Sequence, residues 1–313
     1  MKTGMSMTEK VNEQQKADTE FLQKVFPFKR NYMRVDSWHL HYVDEGEGET
    51  VMLFHACPQW SFSYRKLIAS LSRKYRVIVP DLLGFGLSDK PEDFDYMLNS
   101  YIFLLEEFIQ NLSLSRINIV GHGWGGTIAM GFAVQHPNMI SSVVMMNCIA
   151  FSHYTIPWRL AMCRLPLVGP WLTVYCRAME SGGRKLSPDV RKAYDLPLEG
   201  KEGKYPLLRF VENIPSVPEA ETEQAILAIE TGLWMFRTKP VRIIWAMKDW
   251  LYNKNALRLW HKNIPNAEIH TIANAGRYIQ EEAPEELEEL ITEFLEKNAM
   301  LQTNAMPVQT INK

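Results

Sequence analysis

Short apolar runs alternate with longer amphipathic stretches along the first half of the chain. "MRVDSWHLHYVDEG" reads as two short strands and "TVMLFH" as a third. "WSFSYRKLIASLSRKY" places its apolar positions at the spacing of a helix. "RVIVP", "RINIV" and "ISSVVMMN" predict further strands, separated by helices over "YIFLLEEFIQNL" and "GTIAMGFAVQH". These Val/Ile runs are continuous rather than alternating, as expected of parallel strands covered on both faces. Between about residues 151 and 234 the strand pattern stops, and proline-punctuated helical stretches such as "LSPDVRKAYDLP" and "PEAETEQAILAIETGLWMF" replace it. It resumes with "VRIIWAM", "NALRLWHKN", "AEIHTIA" and "PEELEELITEFLEKN". The pattern predicts an α/β core over residues 26–150 and 235–299, a helical insertion at 151–234, and polar tails at 1–25 and 300–313.

Bulk properties narrow the function classes. A chain of 313 residues, 46% hydrophobic and 22% charged, buries a substantial core. Its net charge of −2 with no basic block argues against a nucleic-acid partner. The four cysteines, Cys57, Cys148, Cys163 and Cys176, have no metal-ligand spacing, so neither a metal nor a cofactor is expected. The N-terminus lacks the apolar run of a signal peptide, which predicts a cytoplasmic protein with free thiols. Residues 156–179 are apolar but broken by Arg159, Arg164, Arg177 and three prolines, so they do not span a bilayer. They read as an apolar cap or a surface-docking patch, which leaves peripheral membrane contact open.

The stretch "INIVGHGWGGTIAM" fits two frames. Gly121, Gly123 and Gly126 match the dinucleotide-binding G-x-G-x-x-G. That fingerprint belongs on the first strand of its unit, with an acidic residue ~20 positions on. Here several strands precede it, and "ISSVVMMNCIA" offers no acid. The other frame is the strand–nucleophile–helix elbow, Gly121-His122-Gly123-Trp124-Gly125, with glycine at the nucleophile's own position.

The surrounding motifs favour the elbow. "HYVDEG", "HACPQWSFSYR" (family form HGNPTWSF-YR), "YRVIVPDLLGFGLSDKP", "GHGWGG" (family GHDWGG), "LSPDVRKAY", "WAMKDW" and "NAGRYIQEEAPE" (family AGHY-EEAPE) occur in order over residues 26–297. In these the chain resembles the haloalkane dehalogenase group of the α/β-hydrolase fold, and within it the β-lactone decarboxylases of bacterial olefin biosynthesis. The resemblance implies a mostly parallel eight-stranded sheet with helices on both faces and a helical cap after strand 6. It also implies a catalytic triad at positions 123, 249 and 277.

The residues there are Gly123, Asp249 and Arg277. Glycine cannot attack a substrate, and an arginine stays protonated and cannot act as a base. Family-type dehalogenation or decarboxylation is therefore not expected. Arg277 is read either as a partner for Asp249 or as an anchor for a ligand carboxylate. His55, Cys57 and Trp124 are expected around the oxyanion pocket, and Trp60, Trp158, Trp171 and Trp250 along an apolar ligand cavity, with Trp234 at the end of the cap. The favoured reading is a pseudoenzyme that binds a small apolar molecule, optionally with an anionic head, between core and cap. The alternatives are an altered hydrolase or lyase, using Cys57 or no covalent nucleophile, and a partner of a lipid- or hydrocarbon-synthesis enzyme.

Overall fold

A computed structural model describes residues 7–152, 157–174, 186–214 and 221–305. The chain opens with helix α1 (Met7–Val25), then β1 (Asn31–Val35), β2 (Trp38–Glu45), β3 (Thr50–Phe54), α2 (Arg65–Leu71), β4 (Arg76–Pro80), α3 (Leu98–Asn111), β5 (Ile117–His122), α4 (Gly123–Gln135) and β6 (Ile140–Met146). Next come α5 (Trp158–Met162), α6 (Val168–Val174), α7 (Pro188–Asp195), α8 (Gly200–Asn213) and α9 (Glu221–Gly232). The sheet is completed by β7 (Val241–Ala246), α10 (Lys254–Asn263) and β8 (Glu268–Ile272), followed by α11 (Ile279–Glu282) and α12 (Pro284–Ala305).

The eight strands form one sheet in the order β1-β2-β4-β3-β5-β6-β7-β8. Pairings β1–β2 and β2–β4 are antiparallel and the others parallel, as the two alternating N-terminal strands and the continuous later ones require. Successive side chains of each central strand enter opposite cores. Met52, Phe54, Ile119, Met145 and Ile243 join one apolar cluster, while Val51, Leu53, Val120, Val144 and Ile244 join the other. Helix α4 is buried almost all round because it packs between the sheet, α3 and α9.

The N-terminal segment differs from the tail expected at residues 1–25. Its described part is a helix anchored by Leu22, with Phe26 just beyond it 5.2 Å from the Trp60 ring. Lys192 of α7 bonds to Asp18 at 2.8 Å and sits over the Phe21 ring. The polar composition hid a single apolar stripe. The expected C-terminal tail likewise begins inside α12, whose last described residues are 300–305. Cys176 and His153 lie outside the described residues.

Candidate functional site

The three positions of interest lie where parallel strands end. β5 runs directly into α4, and Gly123 at that junction has φ +55°, a conformation glycine adopts without a Cβ penalty. Asp249 follows β7, and Arg277 follows β8. The loop after β3 crosses in front of them and carries His55, Ala56 and Cys57.

That loop is fixed by buried polar contacts. His55 Nδ1–H donates to the Ala56 carbonyl (3.1 Å), and the Leu82 N–H donates to His55 Nε2 (2.9 Å). Asp81, wholly buried, accepts from the Ser61 N–H (2.7 Å), the Leu87 N–H (2.9 Å) and His41 Nδ1 (2.8 Å). Burial works to raise the Asp81 pKa, but His41, His55 and the Leu87 N–H together hold it below the ordinary carboxylate value. Burial pulls the His55 imidazole down, which keeps it neutral and suited to these two bonds.

At the elbow the decisive neighbour is Ala56. A Cβ built on Gly123 would lie 2.7 Å from the Ala56 Cβ, 3.3 Å from its Cα and 3.6 Å from the Tyr252 hydroxyl. Position 123 therefore has no room for a side chain unless Ala56 moves. Trp124, next along, is 3% exposed and meets the Phe210 ring of α8 edge-on at 5.7 Å. Its indole N–H is buried with no hydrogen-bond partner among the described residues.

Arg277 is buried, and its Nη2 donates to the Cys57 carbonyl at 2.7 Å, with the guanidinium 5.8 Å from the Tyr252 ring centre. Of its two expected uses, the charge does act on Asp249. Burial raises the Asp249 carboxyl, and Arg277 and two backbone N–H groups only partly offset the rise. Asp249 Oδ1 accepts from the Leu251 N–H at 2.8 Å. Beside Arg277, Cys57 does not gain the lowered pKa that an activated thiol requires. Burial pushes the thiol well above its ordinary value, and the arginine offsets only part of this. His122, inside the elbow, is held near pKa 3 by burial first and by Arg277 second, and its Nδ1 accepts from Gln280 at 3.0 Å.

The tryptophans separate. Trp124 and the half-buried Trp250 belong with the cluster on the Cys57 and Tyr252 side of the sheet. Trp60, expected beside the cavity, instead packs in the opposite cluster, stacked on Phe62, with its N–H donating to the Ala193 carbonyl at 3.1 Å. Phe26, Phe62 and the Ala193 carbonyl hold it on that side. Trp158 and Trp171 face outward, 71% and 56% exposed, because Leu160, Cys163, Gly169 and Thr173 take the inner positions of α5 and α6. Trp234 is also exposed.

A family model described as the alpha/beta hydrolase fold matches residues 49–172. Haloalkane dehalogenase 2 of Mycobacterium bovis is 29% identical over 293 residues, covering 86% of this chain and 96% of its own. The cis-3-alkyl-4-alkyloxetan-2-one decarboxylase of Shewanella oneidensis is 35% identical over 305 residues, covering 93% of this chain and 96% of its own. This chain belongs to the α/β-hydrolase family, in its haloalkane dehalogenase-like group. The hydrolase fold is equally plain in a solved dehalogenase loop variant from Bradyrhizobium elkanii. That structure superposes with a TM-score of 0.80 at 21% identity, over 89% of this chain and 100% of the other.

Four residues that shape this site stand outside the roles that the motifs imply. Ala56 stands where the family form HGNP has glycine, a visible signal whose meaning needs the distance to Gly123. Tyr252 and Phe210 close the space from the loop after β7 and from α8, and no spacing rule predicts either approach. Gln280 serves as the partner of His122.

Proposed function

We propose that this chain is a binding protein on a hydrolase scaffold, without the covalent chemistry of its relatives. It holds an apolar small molecule beneath the helices between β6 and β7, which act as a cap. The observation that carries this reading is the 2.7 Å approach of Ala56 to the Cβ position of Gly123. The family resemblance places the nucleophile at 123, and this chain has both removed that side chain and filled the space where it would begin. Three further features support the reading. Position 277 holds a permanent cation bonded to a backbone carbonyl rather than a base. Cys57, the candidate replacement nucleophile, is kept protonated by burial. Trp124, Phe210 and Tyr252 belong to one buried apolar cluster beside the elbow, with an indole N–H and a hydroxyl among them. The buried positive charge of Arg277 favours a ligand whose head is a carboxylate.

The test compares three proteins on cis-disubstituted β-lactones and on haloalkanes: the wild type, Gly123→Asp with Arg277→His, and that pair with Ala56→Gly. The expected order is no turnover, little or none, and measurable turnover. Turnover by the wild type above the buffer rate would remove the proposal. A double variant as active as the triple would remove the role given to Ala56.

A further inference from the structure

Six of the twelve large hydrophobic side chains exposed among the described residues fall within fourteen positions. They are Trp158, Met162, Leu165, Leu167, Val168 and Trp171, on α5, α6 and the turn between them. Clustered exposure of this kind is uncommon on a protein that meets only water. The inner side of the same element is conventionally packed. Leu160 and Cys163 are buried, and a Cβ on Gly169 would strike the Cys163 carbonyl at 2.2 Å. The outward face is therefore not an unpacked core.

The turn has a defined shape. The Gly169 N–H donates to the Leu165 carbonyl (2.7 Å) and the Val168 N–H to the Pro166 carbonyl (2.8 Å). Leu167 at its apex is 92% exposed and held at φ +69°, a region leucine seldom occupies. Backbone strain spent to hold a leucine outward points to use of that leucine. A tryptophan stands on either side of it in the sequence, the side chain best suited to a boundary between water and hydrocarbon.

Charge identifies the occupant. The sequence contains no Asp or Glu between residues 108 and 179, so the element supplies only cations, Arg159 and Arg164. Arg159 lies over the Trp250 ring, and Arg164 donates to the carbonyls of Ile214 and Glu212. The Glu212 carboxylate is itself paired with Arg209 at 2.7 Å. No helix among the described residues is long and apolar enough to cross a membrane, so contact with a bilayer would be interfacial.

We propose that the α5–α6 face docks on an anionic phospholipid surface, with Leu167 and the flanking tryptophans entering the headgroup region. An apolar apex on an element whose own charges are Arg159 and Arg164, with Asp195, Glu199 and Lys204 beside Thr173 and Val174 at the other end of α6, fits a fluid anionic surface, whereas a protein partner would need a pocket shaped to Leu167. This reading is independent of whether the site catalyses anything.

Co-sedimentation of the full-length protein with phosphatidylcholine vesicles, with and without about a quarter phosphatidylglycerol, tests it. Binding is expected to the anionic vesicles, to weaken about tenfold on neutral ones, and to fall as salt is raised. Leu167→Asp and Trp171→Ser should each release the protein while circular dichroism and the melting temperature stay unchanged, since both side chains are exposed. Equal binding to neutral and anionic vesicles would overturn the proposal. So would binding that survives Leu167→Asp, or a concentration-dependent dimer that Leu167→Asp dissolves in place of vesicle binding.

Discussion

One methyl group decides what position 123 accepts. Introducing aspartate there at φ +55° costs roughly 1–3 kcal/mol in backbone strain, and the contact with Ala56 adds an overpacking cost of about the same size. Ala56→Gly removes only the second cost. Urea unfolding of the single and double variants should therefore show Gly123→Asp destabilising by roughly 1–3 kcal/mol less when combined with Ala56→Gly. Additive effects would mean that the two positions do not compete for space. His122 makes a second prediction at this scale. Its folded pKa near 3 lies below the unfolded value of ~6.5, so between those limits the unfolded chain binds a proton that the folded one refuses. Stability is thus lost as pH falls below ~6.5, at up to ~1.4 kcal/mol per pH unit, or about 2 kcal/mol by pH 5. The lowered pKa of His55 acts in the same direction. His122→Gln should flatten the dependence of unfolding free energy on pH between 5 and 7, and an unchanged slope would refute the assignment.

Among the elements, α4 approaches the end of β3 and the loop after it closely at Gly125. A Cβ on Gly125 would sit 2.2 Å from the His55 carbonyl and 2.9 Å from the Phe54 carbonyl carbon. Both are backbone atoms, so no side-chain rotation relieves the clash. Gly125→Ala should cost about 3 kcal/mol or more and shift the loop that carries Cys57, which thermal melts and the near-ultraviolet circular dichroism would reveal. This helix and the central strands were legible because their apolar runs are long and their glycines sit at fixed offsets. Helix α1 was not, since only Phe21, Leu22 and Val25, with Phe26 just beyond, interrupt the polar composition near its end. The tryptophans of α5 and α6 were misplaced for another reason. Apolar periodicity shows that a helix has two faces, but not which face meets the core, and here Trp158 and Trp171 occupy the outer one. Trp60 shows the same gap in a loop, where no period exists.

For the whole molecule, the sheet divides two cores that differ in purpose. One holds Cys57, Trp124, Trp250 and Tyr252 beside the candidate site, and the other holds Trp60, Phe62, Tyr194 and the inner face of α12. Order along the chain and the family motifs were enough to place the elbow and the loops after β7 and β8. The sequence could not show that Arg277 would bond to the Cys57 carbonyl, because that contact joins residues 220 positions apart. Helix α7 crosses the division made by the insertion. It is tied to the core by the Trp60 N–H at Ala193, by the Tyr194 hydroxyl at Glu281 (2.9 Å), and by Lys192 at Asp18. Deleting residues 1–25 removes the last tie and the burial of Leu22, roughly 2–3 kcal/mol together. The melting temperature should fall by about 5 °C, with faster tryptic cleavage at Arg191 or Lys192. A truncated protein that melts and digests like the full chain would show the contact to be idle.

The tie between α1 and α7 also has a consequence in time. Asp18 is synthesised long before Lys192, and at ~5–20 residues per second the interval is roughly 10–35 s. Through that interval Asp18 lacks Lys192, and Phe21 lacks the lysine that sits over its ring. The chain's opening segment therefore waits for α7 before this contact can form, and docking of α1 against α7 requires that the inserted segment has already been made.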